Sequence, residues 1–353
     1  MARLRVLVVE DSLTMRERLL EVLRGDPEIE VVGQAADGRQ AIELCQQLRP
    51  DVMTLDMVLP VMSGLATAEY VMAYCPTPIL VVSSSFNRGA IFKTFEALSA
   101  GAVDVLEKPR ADEIDEEWNA RLLRTLKMVA RIKVISHVRA KLDRPKLDEP
   151  APATVQTSGA RGHSLVAIGA STGGPAAVCE LLRKLPASFP LPILLVIHVG
   201  KMFGDGLRDW LAGESPIAVA HARDGEPLPA PGTSRVLLAP ADHHLRLHGG
   251  RLQLTTEAER HSCRPSVDVL FESVAKEKGA AAIGCLLTGM GKDGALGLLA
   301  IKRAGGATFA QDEDSSTVYG MPREAAQLGA ANQILPLGQF APTLRRLAGG
   351  NAQ

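Results

Sequence analysis

Aromatic residues are scarce in this chain, at 4% of 353 residues, while the hydrophobic set as a whole reaches 46%. Any core is therefore built mainly from Leu, Val, Ile and Ala. An excess of one charge is also missing: 39 Lys and Arg against 40 Asp and Glu leave a net charge of −1. That balance argues against a nucleic-acid partner and against an acidic tail. The five cysteines, Cys45, Cys75, Cys179, Cys263 and Cys285, make no C-x-x-C and no close pair. They read as small apolar residues in a reducing compartment rather than a disulfide framework. No apolar run reaches the roughly 18 residues needed to span a bilayer, so no direct membrane insertion is expected. MARLRVLVVED leads straight into a strand pattern, which is not the layout of a signal peptide. No Walker lysine follows Thr172-Gly173-Gly174-Pro175, which lowers a nucleotide-binding reading. What remains is a soluble cytoplasmic protein with room for two domains of ordinary size.

What is present is a β-α rhythm in two blocks. In the first, apolar runs at Leu4–Val9, Ile29–Ala35, Val52–Leu55, Ile79–Ser83 and Val103–Leu106 alternate with amphipathic stretches. Met15, Leu19, Leu20 and Leu23 recur at helical spacing, as do Ala41, Leu44, Cys45 and Leu48. Ile114, Trp118, Leu122 and Leu126 open a last long helix. Five such units predict a doubly wound parallel sheet with helices on both faces. Periodicity stops over 137–162, where prolines and small polar residues read as a linker. The rhythm returns over 163–347, with strands expected at Leu165–Gly169, Ile193–His198, Arg235–Ala239, Ala281–Leu287 and Ala307–Gln311. HHLRLHGGRLQL alternates around Gly249-Gly250, a hairpin signal. The expected organisation is a domain over 1–136, a linker over 137–162 and an α/β parallel-sheet domain over 163–347 with an inserted β-hairpin.

Open α/β sheets place their chemistry at the carboxyl ends of the strands. In the first block those ends carry Glu10 and Asp11, Asp56, Ser83 and Lys108. Three crowded carboxylates repel one another unless a cation joins them, and Mg²⁺ takes such oxygen ligands. A phosphoryl group on Asp56 needs the metal and Lys108 to neutralise it, with the Ser83 hydroxyl alongside. LVVEDS, TLDMVLPVMSGL, PILVVSSS and AGAVDVLEKP resemble the receiver domain of bacterial response regulators over the whole block. The resemblance implies a flavodoxin-like sheet, with Asp56 as phospho-acceptor, Glu10, Asp11 and Asp56 as Mg²⁺ ligands, and Ser83 and Lys108 as readers of the phosphoryl group. Val105 stands where many receivers carry an aromatic.

In the second block SLVAIGASTGGP places Ser171 on a glycine turn at the end of a buried strand. Gly169 to Gly173 fit G-x-S-x-G, the nucleophile-elbow pattern. A serine needs a base to act as a nucleophile at neutral pH. Of eight histidines, His198 ends the apolar run LPILLVIHV and so shares the strand-end position. His221, His243, His244, His248 and His261 fall in polar or hairpin segments, and His137 and His163 flank the linker. His243 and His244 are expected to be dispensable. Asp293, in the glycine-rich turn TGMGKDGALGL, is placed to orient the imidazole. Backbone N–H groups of Gly289, Met290 and Gly291 are candidate oxyanion donors. The order Ser, His, Asp differs from the Ser, Asp, His of α/β-hydrolases.

GASTGGP, TGMGKDGALGL, RPSVDVLFESVA and QDEDSSTVYGMPREA resemble the CheB family, the chemotaxis-type protein-glutamate methylesterases, over nearly all of 163–347. The resemblance implies a Ser171, His198, Asp293 triad with the amides of Thr172 and Met290 as oxyanion donors. It implies demethylation of glutamate methyl esters on methyl-accepting chemoreceptors; such enzymes often also deamidate receptor glutamines, which the sequence alone leaves open. It also implies activation through a CheA-type histidine kinase, Mg²⁺ for the receiver step and no cofactor for ester hydrolysis. The enzyme is expected to be a monomer. The family's Gln-His-Met-Pro is here Ile197-His198-Val199-Gly200, so contacts around the histidine differ.

Overall fold

The computed structural model describes residues 3–84, 88–109, 115–132, 134 and 162–349. Ile114 and the expected linker, Gly162 excepted, lie outside the described residues. The first block runs β1 (Leu4–Val9), α1 (Leu13–Arg24), β2 (Ile29–Ala35), α2 (Gly38–Leu48), β3 (Val52–Leu55), α3 (Gly64–Tyr74), β4 (Ile79–Ser83), α4 (Arg88–Ser99), β5 (Asp104–Glu107) and α5 (Asp115–Val129). Its five strands lie in the order β2-β1-β3-β4-β5, all pairs parallel. Helix starts follow local chemistry. The side chains of Ser12, Asp37 and Ser63 accept from Met15, Gln40 and Ala66 N–H and so cap α1, α2 and α3.

The second block runs β6 (Leu165–Ala170), α6 (Gly174–Arg183), β7 (Ile193–Ile197), α7 (Gly204–Glu214), β8 (Ala218–His221), β9 (Arg235–Leu238), β10 (His244–His248), β11 (Arg251–Thr255), α8 (Val267–Lys278), β12 (Ala282–Leu286), α9 (Ala295–Arg303), β13 (Ala307–Gln311), α10 (Met321–Gln327), β14 (Gln333–Leu335) and α11 (Leu337–Ala348). Seven strands form one sheet in the order β14-β13-β12-β6-β7-β9-β8, again with every pair parallel. Every residue of β6, β7 and β12 is buried, as expected for strands covered on both faces. The hairpin is present as the antiparallel pair β10-β11. Its turn uses Gly249 at φ 55° and Gly250 at φ 71°, the positive-φ pair that matches strand twist.

Two strands were not expected from the sequence, β8 and β14. Both are short edge strands with exposed positions, so neither carries a continuous apolar run. β5 begins one residue later than expected.

Each sheet reverses its winding direction beside its first strand: between β1 and β3 in one block, between β6 and β12 in the other. The crevices at these points open at the strand carboxyl ends, where ligands bind in such sheets. The two blocks also pack on each other. Phe95 of α4 stacks on Trp210 of α7, with ring centroids 5.4 Å apart, and meets Phe203 edge-on at 6.3 Å. All three rings are fully buried.

Candidate functional site

The first crevice gathers the expected carboxylates. Oxygens of Glu10, Asp11 and Asp56 lie within 4.8 Å of one another. Lys108 Nζ sits between two of them, 2.8 Å from Asp56 Oδ2 and 3.0 Å from Glu10 Oε1. It also makes an ionic contact of 2.7 Å with Glu10 Oε2, yet that oxygen has no hydrogen-bond donor among the described residues. Asp56 Oδ1 accepts the Met57 N–H at 2.7 Å. Burial, and then the Asp56 charge, push the Glu10 carboxyl up to about 7 against the pull of Lys108. Burial disfavours the charged Lys108, but Asp56 and Glu10 outweigh it and raise its ammonium. One lysine for three carboxylates leaves negative charge uncompensated in an oxygen-only donor set, which suits Mg²⁺. Ser83 ends the neighbouring strand, and its carbonyl takes the Lys108 N–H at 3.0 Å.

The second crevice holds Ser171, His198 and Asp293. Ser171 leaves β6 directly, its N–H bonded to Thr288 O at 3.0 Å. Gly173 then turns at φ 76° and starts α6, with Thr317 atoms 2.4 Å from where a Cβ would stand. Only glycine fits there. His198 continues β7, its N–H bonded to Ala170 O at 3.0 Å, so adjacent strand ends carry the candidate nucleophile and the candidate base.

Asp293 comes from the loop after β12 and docks on the first turn of α8. Its Oδ1 accepts the Ser266 hydroxyl at 2.7 Å and the Asp268 N–H at 3.0 Å; its Oδ2 accepts the Val267 N–H at 2.7 Å. A helix N-terminus favours an anion. Burial disfavours that anion, but the His198 partner and these donors overcome it and hold Asp293 below the usual carboxylate range. His198 Nε2 meets Asp293 Oδ2 at 2.9 Å. Burial works against a charged imidazole here, but the bonds to Asp293 and Cys263 win and push it up to about 9.

With Nε2 on the carboxylate, Nδ1 is the ring atom left to act as base. In this structure Nδ1 faces Cys263 Sγ at 3.6 Å, and no Ser171–His198 hydrogen bond is formed among the described residues. Such nucleophile–base bonds often tighten only in the substrate complex. The Gly289 N–H donates to Val318 O at 3.0 Å, which removes it from the candidate oxyanion donors. The N–H groups of Thr172 and Met290 have no acceptor among the described residues.

Three groups were invisible to sequence reasoning. Asp104 reaches from the first block to Thr172, whose hydroxyl donates to Asp104 Oδ2 at 2.9 Å. Burial pushes this carboxyl up to about 6, against the bonds from Val105 and Thr172. Cys263 is the second: four cysteines are buried as read, but Cys263 is half-buried beside the imidazole.

The third is His244, whose surroundings argue against the expectation that it is dispensable. It is 1% exposed, and both ring nitrogens are used. Nδ1 accepts the Ser266 N–H at 3.1 Å and Nε2 donates to Ala258 O at 3.1 Å. His244 thus fixes Ser266, which holds Asp293. Leaving the buried Ser266 N–H unpaired costs about 1–3 kcal/mol. His244→Phe is therefore expected to lower kcat about 5- to 150-fold with KM little changed. His244→Asn, which keeps an acceptor near Nδ1, should recover part of the loss, and His243→Gln should stay within a few-fold of wild type. Steady-state kinetics of the three variants on an ester substrate check this.

A family described as CheB methylesterase matches residues 166–344, and one described as response regulator receiver domain matches residues 6–118. A protein of Anaeromyxobacter dehalogenans named protein-glutamate methylesterase/protein-glutamine glutaminase 2 is 44% identical over 344 residues, covering 98% of this chain and 97% of its own. One of Myxococcus xanthus with the same name and the number 4 is 44% identical over 346 residues, 97% of this chain and 96% of its own. The crystal structure of the Thermotoga maritima CheB methylesterase catalytic domain covers 53% of this chain and 100% of that one, at 34% identity and a TM-score of 0.50.

Proposed function

Since the chain belongs to the CheB methylesterase family, we propose that it hydrolyses glutamate methyl esters on the cytoplasmic helices of methyl-accepting chemoreceptors. Receptor glutamines would be deamidated at the same centre, because ester and amide pass through the same kind of tetrahedral intermediate. The observation that carries this reading is the His198–Asp293 pair at 2.9 Å, anchored on the N-terminus of α8 beside the Ser171 turn.

Ser171 Oγ attacks the side-chain carbonyl while His198 Nδ1 takes its proton. Asp293 steadies the imidazolium through Nε2. The negative oxygen of the intermediate is received by the Thr172 and Met290 N–H groups. His198 returns the proton to the leaving methanol, or to ammonia from an amide. Water then attacks the acyl-serine with His198 again as base, releasing the glutamate carboxylate and restoring Ser171. No cofactor enters these steps.

The domain limits we assign are a receiver over 1–136, a linker over 137–162 and the catalytic domain over 163–347. Asp56 is the phospho-acceptor for a CheA-type histidine kinase. Glu10, Asp11 and Asp56 would hold Mg²⁺, which when bound neutralises charge on the transferring phosphoryl group. Lys108 and Ser83 stand ready to engage that group. The protein acts as a cytoplasmic monomer; no helix among the described residues is long and apolar enough to cross a membrane.

Regulation is read from the contact between blocks. Asp104 bonds to Thr172, next to the nucleophile, while Ile91 of α4 lies against α7 so closely that its Cγ2 is 2.0 Å from the place of a Cβ on Gly206. β5 carries Asp104 at its start and leads into Lys108 at the phosphorylation pocket, so one strand joins both sites. Phosphorylation is expected to loosen this contact and open the cleft. A larger side chain at Gly206 does the same by force. Gly206→Leu should raise the activity of the unphosphorylated chain about 5- to 150-fold and leave little further response to acetyl phosphate with Mg²⁺. Wild type should respond to acetyl phosphate, and Asp56→Asn should not. Methanol release from methylated receptor membranes measures all three. A Gly206→Leu chain no faster than unphosphorylated wild type would rule out simple occlusion.

A further inference from the structure

The half-buried thiol beside the catalytic base gives this centre a second chemistry. Ligand atoms of His198, Cys263 and Asp293 lie within 4.8 Å of one another. Within that set the atoms divide into two shells. Cys263 Sγ and His198 Nδ1 face each other at 3.6 Å. Bonds of about 2.3 Å to sulfur and 2.0–2.1 Å to nitrogen, at a tetrahedral angle, set S and N about 3.6 Å apart around Zn²⁺. The pair is therefore already at the bite distance of one zinc ion.

Asp293 is not free to join them, because its oxygens are taken by Ser266, Val267 and Asp268. It serves instead as the acceptor for the other ring nitrogen, at 2.9 Å. A carboxylate behind a histidine, fixing its tautomer and raising its basicity, is the usual outer shell of a zinc-bound imidazole. The Asp293–His198 pair has the form of that supporting half. The His198 side chain is 14% exposed and Cys263 is half-buried, so an ion can reach them.

We propose that Cys263 and His198 form an inhibitory site for a thiophilic divalent cation, of which Zn²⁺ is the type. On binding, the Cys263 thiol and the protonated His198 ring each give a proton to solvent, and the cation takes the thiolate and the freed Nδ1 lone pair, with water completing the tetrahedron. Neither residue changes oxidation state. Nδ1 is the atom that must receive the Ser171 proton, so the ion and the reaction exclude each other. Two protein ligands make the site reversible and open to chelators rather than structural.

The metal site stands on the geometry alone; only its inhibitory consequence rests on the proposed esterase. The test uses the full chain in excess Mg²⁺, which occupies the oxygen-only receiver pocket, with Co²⁺ as the probe. A thiolate-to-cobalt absorption band in the near ultraviolet should saturate at one equivalent. Ser171→Ala should keep it, Cys263→Ser should lose it, and His198→Gln should weaken binding at least about tenfold. Thermal unfolding of each variant checks that the fold is retained. In the esterase assay, Zn²⁺ should inhibit reversibly with EDTA. Cys263→Ser should raise the Zn²⁺ concentration for half-inhibition at least about tenfold. The proposal is overturned if wild type shows no saturable band, or if folded Cys263→Ser keeps it. A band in wild type without any ester hydrolysis would leave the metal site standing and sink the esterase reading instead.

Discussion

Ser171→Ala is expected to lower esterase turnover by about 10⁴- to 10⁶-fold, the usual cost of removing a triad nucleophile. That corresponds to about 5.5–8 kcal/mol of lost transition-state stabilisation. The change removes one hydroxyl that has no partner inside the described protein, so the fold should be untouched. The backbone bonds that shape the turn, from Ser171 N–H to Thr288 O and from Gly174 N–H to Ser171 O, do not involve the side chain. The variant should unfold at the wild-type temperature and still bind receptor. Methanol release from methylated receptor membranes is the measurement. Turnover within tenfold of wild type would mean that another group, with Cys263 the nearest alternative, performs the attack.

The parts of this site that were legible in the sequence are those fixed by strand ends. Parallel strands buried on both faces read as unbroken apolar runs, so the residue after each run is located to within a position or so. Glu10, Asp56 and Lys108 were found in this way, as were Ser171 and His198. Asp293 was marked by its glycine-rich turn. The groups that were missed act across long sequence separations without any periodic signal. Ser266 and His244 lie on different elements and meet only because the hairpin packs on α8. Cys263 precedes a helix cap in a loop, where nothing in its neighbours predicts an imidazole. Asp104 opens a strand and looks like any solvated charge; its partner is in the other domain. The histidine choice shows the same limit. Sequence separated His198 from the other seven by strand position, but it could not separate His244, whose ring accepts the Ser266 N–H, from His243, whose ring meets Ala241 O.

His198→Gln carries the second large effect, and its size tests the arrangement as well as the residue. Ser171 and His198 act as one unit, so losing either should cost about the same and losing both should cost little more than one. Additive losses, on the order of 10⁸ or beyond for the double variant, would mean that His198 does not activate Ser171. The pH profile gives an independent reading. A base must be neutral to accept the serine proton, and His198 is pushed up to about 9 by Asp293 and Cys263 against the effect of burial. Below that pH the free enzyme holds the ring as imidazolium. kcat/KM should therefore rise about tenfold per pH unit through the neutral range and level off above about 9. Removing Cys263 takes away one of the two groups that raise the ring, so the plateau of a Cys263→Ser chain should begin at lower pH. Asp293→Asn should also move the plateau to lower pH, because it removes the other group that raises the ring, and should cost turnover through the wrong tautomer. A profile that is flat from pH 6 to 9 in the wild-type chain, with phosphorylation held constant, would remove His198 from the role of base.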